Sequence, residues 1–234
     1  MKRNIFTLLM AVGFLAGCGS LGSLGGTPGS VTETEAAQGI RQALDKGVST
    51  GISYLNKQDG FFGNQAYRLF LPPDARKIEN VMRDLGMSKT VDRAILQINR
   101  AAEDAVGYAT PIFTEAIREM TIQDAFNIIR GENDAATRYF REKTTAKLSA
   151  AFSPIIQRSL DKLEATRHYS DIITAYNRLP TTFNKLNPDL PSYVTEKAVD
   201  ALFDQIAKEE ANIRANPRAR TTEILKKVFG SLGR

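Results

Sequence analysis

Ile40, Leu44, Val48, Ile52 and Leu55 recur at intervals of four and three residues, and Gly39, Ala43, Gly47 and Gly51 stand beside them at intervals of four. The first row has the α-helical period, so it predicts an amphipathic helix running to Lys57. Residues four apart lie one above the next on a helix, so the second row is a ridge without side-chain bulk, along which another helix backbone can approach. Glycine lowers helix propensity by about 1 kcal/mol relative to alanine, so three of them in one helix point to close packing. Packing inside the domain is the expected use of the ridge, and an oligomer contact is the alternative. Thr32 with Glu35 has the spacing of a capping box at the helix start.

The same period continues along the chain, broken by proline, glycine and capping residues. Pro73 suits the first turn of a helix ending at Gly86. Ser88 or Thr90 opens the next, with Val91, Ala94, Ile95, Ile98, Ala101, Ala102 and Ala105 as its core stripe. Thr110-Pro111 starts a short helix to Met120, Thr121 with Asp124 caps another to Ile129 or Arg130, and Gly131 reads as a left-handed stop. Asn133 or Asp134 caps a helix through Tyr139, Phe140 and Leu148, and Ser153-Pro154 restarts it toward Leu163. Arg167–Leu179 and Tyr193–Ala215 follow, separated by the irregular stretch from Pro180 to Pro191, and Asn216-Pro217 opens a last helix carrying Ile224, Leu225, Val228 and Phe229. No strand pair is legible. The expected fold is all-α, a single domain of about nine or ten helices over residues 34–230, with a tail at 231–234.

One segment departs from this pattern. Asp59-Gly60-Phe61-Phe62-Gly63-Asn64 is rich in turn residues, and Ala66–Leu71 is a short extended stretch. Phenylalanines on a loop usually fold back over the core as a plug. The functional alternative makes Phe61 and Phe62 a lip for an apolar ligand or for lipid.

The N-terminus carries an address. Lys2 and Arg3 precede an apolar run from Ile5 to Phe14, and Leu15-Ala16-Gly17-Cys18 follows. This order is the pattern of a lipoprotein signal peptide over residues 1–17, cleaved between Gly17 and Cys18, with diacylglycerol on the Cys18 thiol. The apolar run is shorter than the roughly 20 residues of a membrane-spanning helix. Residues 18–33, mostly glycine, serine and leucine after the cysteine, form the expected tether, with a mean reach of roughly 20 Å for about 15 flexible residues. Gly19 after the cysteine, in place of aspartate, points to the outer membrane rather than the inner one, with the domain facing the periplasm. Removing residues 1–17 lowers the formal charge from +5 to +3, because Lys2 and Arg3 leave and no acid does. So small an excess gives no reason to expect nucleic acid as a partner.

Catalytic chemistry has little to work with. Cys18 is the only cysteine and His168 the only histidine, so a site with two imidazoles or a second thiol is excluded. No phosphate-binding loop, dinucleotide fingerprint or nucleophile elbow occurs, and no metal or cofactor is expected. Glu196, Asp200 and Asp204, four apart at the edge of an apolar arc, read as a solvated or ion-paired face. Glu209 and Glu210 lie within or beside that arc and need partners. Arg214, Arg218 and Arg220 are close enough in sequence to supply them, as a clamp holding the last helix or, less conservatively, a ligand site. The basic end from Arg214 to Arg234 reads as a solvated face, with anionic headgroups or an acidic partner as the alternative.

Asp59–Asn64 with Leu71-Pro72-Pro73, the run Gly131–Thr137, Asn187–Leu190 leading into Tyr193–Ala198, and Arg218–Thr222 to Val228-Phe229-Gly230 together resemble the bacterial domain-of-unknown-function family 4197. The resemblance extends from about Thr34 to Gly230. It implies an exported, lipoprotein-like, helical protein without an assigned activity, and it transfers no site residues. The expectation is a lipid-anchored, non-enzymatic envelope protein that binds a partner or ligand. A carrier of an apolar molecule within the helical body is the alternative, and a carboxylate-dependent hydrolase the third reading. Its oligomeric state is open.

Overall fold

A computed structural model describes residues 32–76, 79–162, 164–178, 186 and 189–231. The expected signal peptide, with Gly17 and Cys18, and the expected tether to residue 31 lie outside the described residues, as do residues 232–234. Eight helices of nine or more residues form the described body: α1 (Glu33–Leu55), α2 (Ser88–Val106), α3 (Thr110–Glu119), α4 (Ile122–Arg130), α5 (Ala135–Lys162), α6 (Ala165–Asn177), α7 (Leu190–Ala215) and α8 (Glu223–Ser231). No strand occurs among the described residues, as expected of an all-α chain. The full helices are fewer than the nine or ten expected. Two differences account for this.

The first is α5. Pro154 does not divide it; the helix runs unbroken for 28 residues through the proline. Pro154 and Ala150, the residue whose carbonyl loses its donor, are both on the solvent side, where water can serve that carbonyl. The buried row Phe140, Thr144, Leu148, Phe152, Ile156 and Leu160 is spaced strictly by four. Such a row drifts by about 40° per step around a helix of 3.6 residues per turn, so α5 offers successive faces to successive neighbours. It packs on α2, α3, α6 and α7.

The second is the segment from Pro73. It is helical at Pro73–Arg76 and at Glu79–Met82, on either side of residues outside the described set, and then forms a widened turn at Arg83–Met87 in which Gly86 takes φ +82°. That left-handed angle suits glycine, and it falls where the sequence placed the end of this helix.

At two helix starts local signals were sufficient. Thr32 and Glu35 form the capping box of α1, and Thr121 and Asp124 that of α4, each with both reciprocal hydrogen bonds. Gly131 ends α4 differently from expectation. Its backbone is extended (φ −78°, ψ 178°), not left-handed. It is glycine because a Cβ there would lie 2.6 Å from Ala135 Cβ and 2.9 Å from the Asn127 carbonyl oxygen, so the chain can turn at once into α5.

The core is built around α7, which packs on α1, α2 and α5. Phe113 of α3 meets Phe140 of α5 edge-on at 5.1 Å and Phe203 of α7 at 6.0 Å, and all three rings are fully buried. The small ridge of α1 faces inward. A Cβ on Gly39 would fall 2.7 Å from Val228 of α8, and one on Gly47 or Gly51 would meet Glu209, Gln205 and Ile206 of α7 at 3.5–3.7 Å. The ridge therefore serves packing within the domain.

Candidate functional site

Three polar clusters, two buried and one at the surface, join elements distant in sequence. In the first, Asn99 and Glu103 of α2 hold the loop between α1 and the first proline turn. Asn99 donates to the Leu69 carbonyl and accepts from the Leu69 N–H, both at 2.8 Å. Glu103 Oε1 accepts from the N–H groups of Phe61 and Phe62 at 3.1 Å, while Oε2 pairs with Arg100 at 2.7 Å and Arg100 reaches Asp59 at 2.8 Å. Phe61 is thereby drawn wholly into the core, and Phe62 stays half-buried under the guanidinium groups of Arg68 and Arg100. This arrangement is the plug over the core; Phe61 has no exposed surface with which to form a lip. Neither Asn99 nor Glu103 stood out in the sequence. The available signal was register, since Val91, Ile95, Asn99 and Glu103 stand four apart and the last two continue an apolar row.

The second cluster centres on Glu210 of α7, which is only 9% exposed. Its carboxylate accepts from the N–H groups of Ala136 and Thr137 at 3.0 and 2.9 Å and from the Thr137 hydroxyl at 2.8 Å. It thus caps the first turn of α5 from another helix, where the free N–H groups and the helix dipole both favour an anion. Arg214 donates to it through Nε and Nη2 at 3.0 and 2.8 Å and also to the Ile128 carbonyl at the end of α4.

The expected cluster of five is corrected by this geometry. Glu209 is half-buried beside Gly47, and Arg218 is exposed. Arg220 turns back onto the carbonyls of Ile213 and Arg214. The clamp therefore fixes the α4–α5 junction and not the last helix. α8 is held by Val228 against Gly39, by the Lys227–Glu35 pair at 2.6 Å and by Thr222 on Gln42. Of the basic end, Arg214 and Arg220 turn inward and Lys226 and Lys227 are paired with Glu223 and Glu35.

The third cluster ties the extended segment to α7. The Tyr67 hydroxyl lies 2.7 Å from Asp204 Oδ2 and 2.8 Å from Gln205 Oε1, and it accepts from Lys208 Nζ at 2.8 Å. Burial pushes the Tyr67 phenol up. Partial burial works to raise Asp204, but Lys208 and Tyr67 overcome it and hold the carboxyl below its usual range. Asp204 first, and then Tyr67, raise the Lys208 ammonium in turn. The acidic column is ion-paired throughout: Glu196 with Lys197, Asp200 with Arg141 and Lys197, Asp204 with Lys208.

Between Tyr67 and this column runs a groove of about 480 Å³, walled by Ala66–Phe70 and Arg76 on one side and by Tyr193, Lys197, Asp200 and Asp204 on the other. The interior is closely filled by comparison. The cavity among α1, α4, α5 and α7 beside Glu210 measures about 20 Å³, room for about one water molecule. Neither Phe61 nor Phe62 borders it. An acyl chain has no volume there, so the carrier reading finds no support among the described residues.

Fold and clusters together define an all-helical domain whose buried charges each fasten a loop or a helix end. The chain belongs to the family of proteins of unknown function DUF4197, whose model matches residues 30–230. No curated protein and no solved structure matches it.

Proposed function

We propose that this protein is a lipid-anchored constituent of the bacterial cell envelope, tethered through Cys18, whose helical domain binds a partner and performs no catalysis. The observation that carries the reading is the order of features before Cys18: basic residues, an apolar run, two small residues and the only thiol of the chain. The buried clusters agree with a binding role. Glu103, Asn99, Glu210 and Arg214 are each engaged with backbone groups, so the buried ionisable side chains act as fasteners, and the groove beside Tyr67 offers a surface for recognition.

Intact-mass measurement of the protein purified from cell membranes tests the anchor. A mature chain beginning at an acylated Cys18, and release of a folded domain to the soluble fraction by Cys18→Ser, are the expected results. A mature N-terminus elsewhere with an unmodified thiol would sink the proposal, as would substrate turnover lost on changing Glu103 or Glu210 in a protein that remains folded.

A further inference from the structure

The groove beside Tyr67 has the construction of a half-finished β-ladder. Along its wall burial alternates, with Tyr67, Leu69 and Leu71 buried and Arg68 and Phe70 exposed, as in an extended chain. In such a chain the N–H and C=O of one residue point to one edge and those of the next to the other. Leu69 presents both groups to Asn99, whose side-chain amide closes that edge as a neighbouring strand would. The opposite edge carries the N–H and C=O of Phe70 and the C=O of Arg68, and among the described residues nothing pairs with them. Backbone groups left open on an exposed edge are a template for another extended chain.

The facing wall sets length and charge. Tyr193, Lys197, Asp200, Ala201 and Asp204 span twelve residues of one α7 face, roughly 16 Å over the rises between them at 1.5 Å each. About five residues of extended chain, at 3.3 Å each, match that length. Both groove carboxylates are already neutralised, Asp200 by Arg141 and Lys197 and Asp204 by Lys208. Arg68 stacks on Phe62 and Phe70, and neither it nor Arg76 meets a carboxylate among the described residues. Phe70, 42% exposed, and Tyr193 offer flat apolar surface between these cations.

We infer that this groove binds an extended acidic peptide segment of a partner protein by strand addition to Arg68–Phe70, with Arg68 and Arg76 receiving its carboxylates. The inference rests on the binding role proposed above and supplies the class of partner.

The test titrates the full 234-residue chain, in a neutral detergent, with a blocked six-residue peptide alternating glutamate and valine, followed by backbone amide NMR and fluorescence anisotropy. The expected result is saturable binding, a downfield shift and slowed exchange of the Phe70 amide, and weakening by about tenfold in the double variant Arg68→Ala/Arg76→Ala. Phe70→Ala keeps the N–H and reduces binding less than that double variant. Three outcomes would overturn the inference: an alternating lysine–valine peptide binding as well as the acidic one, inorganic phosphate or anionic-lipid vesicles displacing the peptide at equal charge concentration, or binding that leaves the Phe70 amide unmoved. None of these touches the acylation of Cys18, so failure here is distinguishable from failure of the anchor.

Discussion

Replacing Glu210 with alanine removes the anion that joins three helices, and the size of the effect follows from what it leaves behind. Arg214, whose side chain is 12% exposed, would keep its charge and only the Ile128 carbonyl as a close acceptor. Removing one partner of a buried ion pair costs about 3–5 kcal/mol. The N–H groups of Ala136 and Thr137 would also lose their acceptor, a cap loss of about 1 kcal/mol that overlaps the first effect and does not simply add to it. The expected destabilisation is therefore about 4 kcal/mol, a fall in Tm of roughly 8–16 °C for a domain near 200 residues. Glu210→Gln keeps one acceptor oxygen, enough for the α5 amides or for Arg214 but not both, so about half that loss is expected. The double variant Glu210→Gln/Arg214→Met buries no orphan charge and should be more stable than the sum of its parts by about 1–3 kcal/mol. Urea unfolding of the natural chain, these three variants and Arg214→Met, with unchanged m-values, measures every corner of the cycle. A cost for Glu210→Ala below about 1 kcal/mol, or strict additivity in the cycle, would refute the claim that this carboxylate fastens the α4–α5 junction.

Two glycines of the same ridge should respond with opposite sign. Gly39→Ala drives a methyl to 2.7 Å from Val228 and should destabilise the domain, by about 1–3 kcal/mol. Gly47→Ala meets Glu209 Cβ at an ordinary 3.7 Å, so the gain in helix propensity, up to about 1 kcal/mol, should raise Tm. Calorimetry of both decides it. Asn99→Leu should leave the Leu69 N–H and C=O buried without partners, at a cost of about 2–4 kcal/mol, with faster hydrogen exchange at Leu69 and its neighbours as the local sign. The pH dependence of α8 docking follows from Glu35, whose carboxyl is lowered from 4.5 to about 2 by Lys227 first and by Thr32. A depressed acid stabilises the fold above its unfolded value and loses that contribution as pH falls through its folded one. The difference in Tm between the natural protein and Glu35→Gln should therefore be full above about pH 5 and vanish near pH 2; a difference that grew on acidification would contradict the assignment.

The all-α class, the two capping boxes and the stripe of α1 were legible because each rests on interactions within four residues: helical period, side-chain to N3 amide, and propensity. Two positions were misjudged because the usual behaviour of the residue type met a particular local geometry. Gly131 resembles a left-handed stop, yet Ala135 and Asn127 crowd it into an extended turn. Pro154 resembles a helix break, yet it falls on the solvent side of α5, where water can serve the carbonyl of Ala150 that it leaves without a donor.

The clamp was half legible. Glu210 and Arg214 are four apart on one helix, so their pairing could be anticipated, but the α5 amides they secure lie more than 70 residues away. Asn99 and Glu103 looked like ordinary polar residues of a helix until Leu69, Phe61 and Phe62 were folded onto them. By itself the sequence determined the all-helical class, the two capping boxes and the apolar stripe of α1, because those depend on neighbours along the chain. The tertiary structure alone decided which carboxylate caps which helix, and that the Tyr67 groove has one closed backbone edge and one open one. A hydrogen bond across tens of residues depends on where packing brings its two partners, and no spacing in the chain records that.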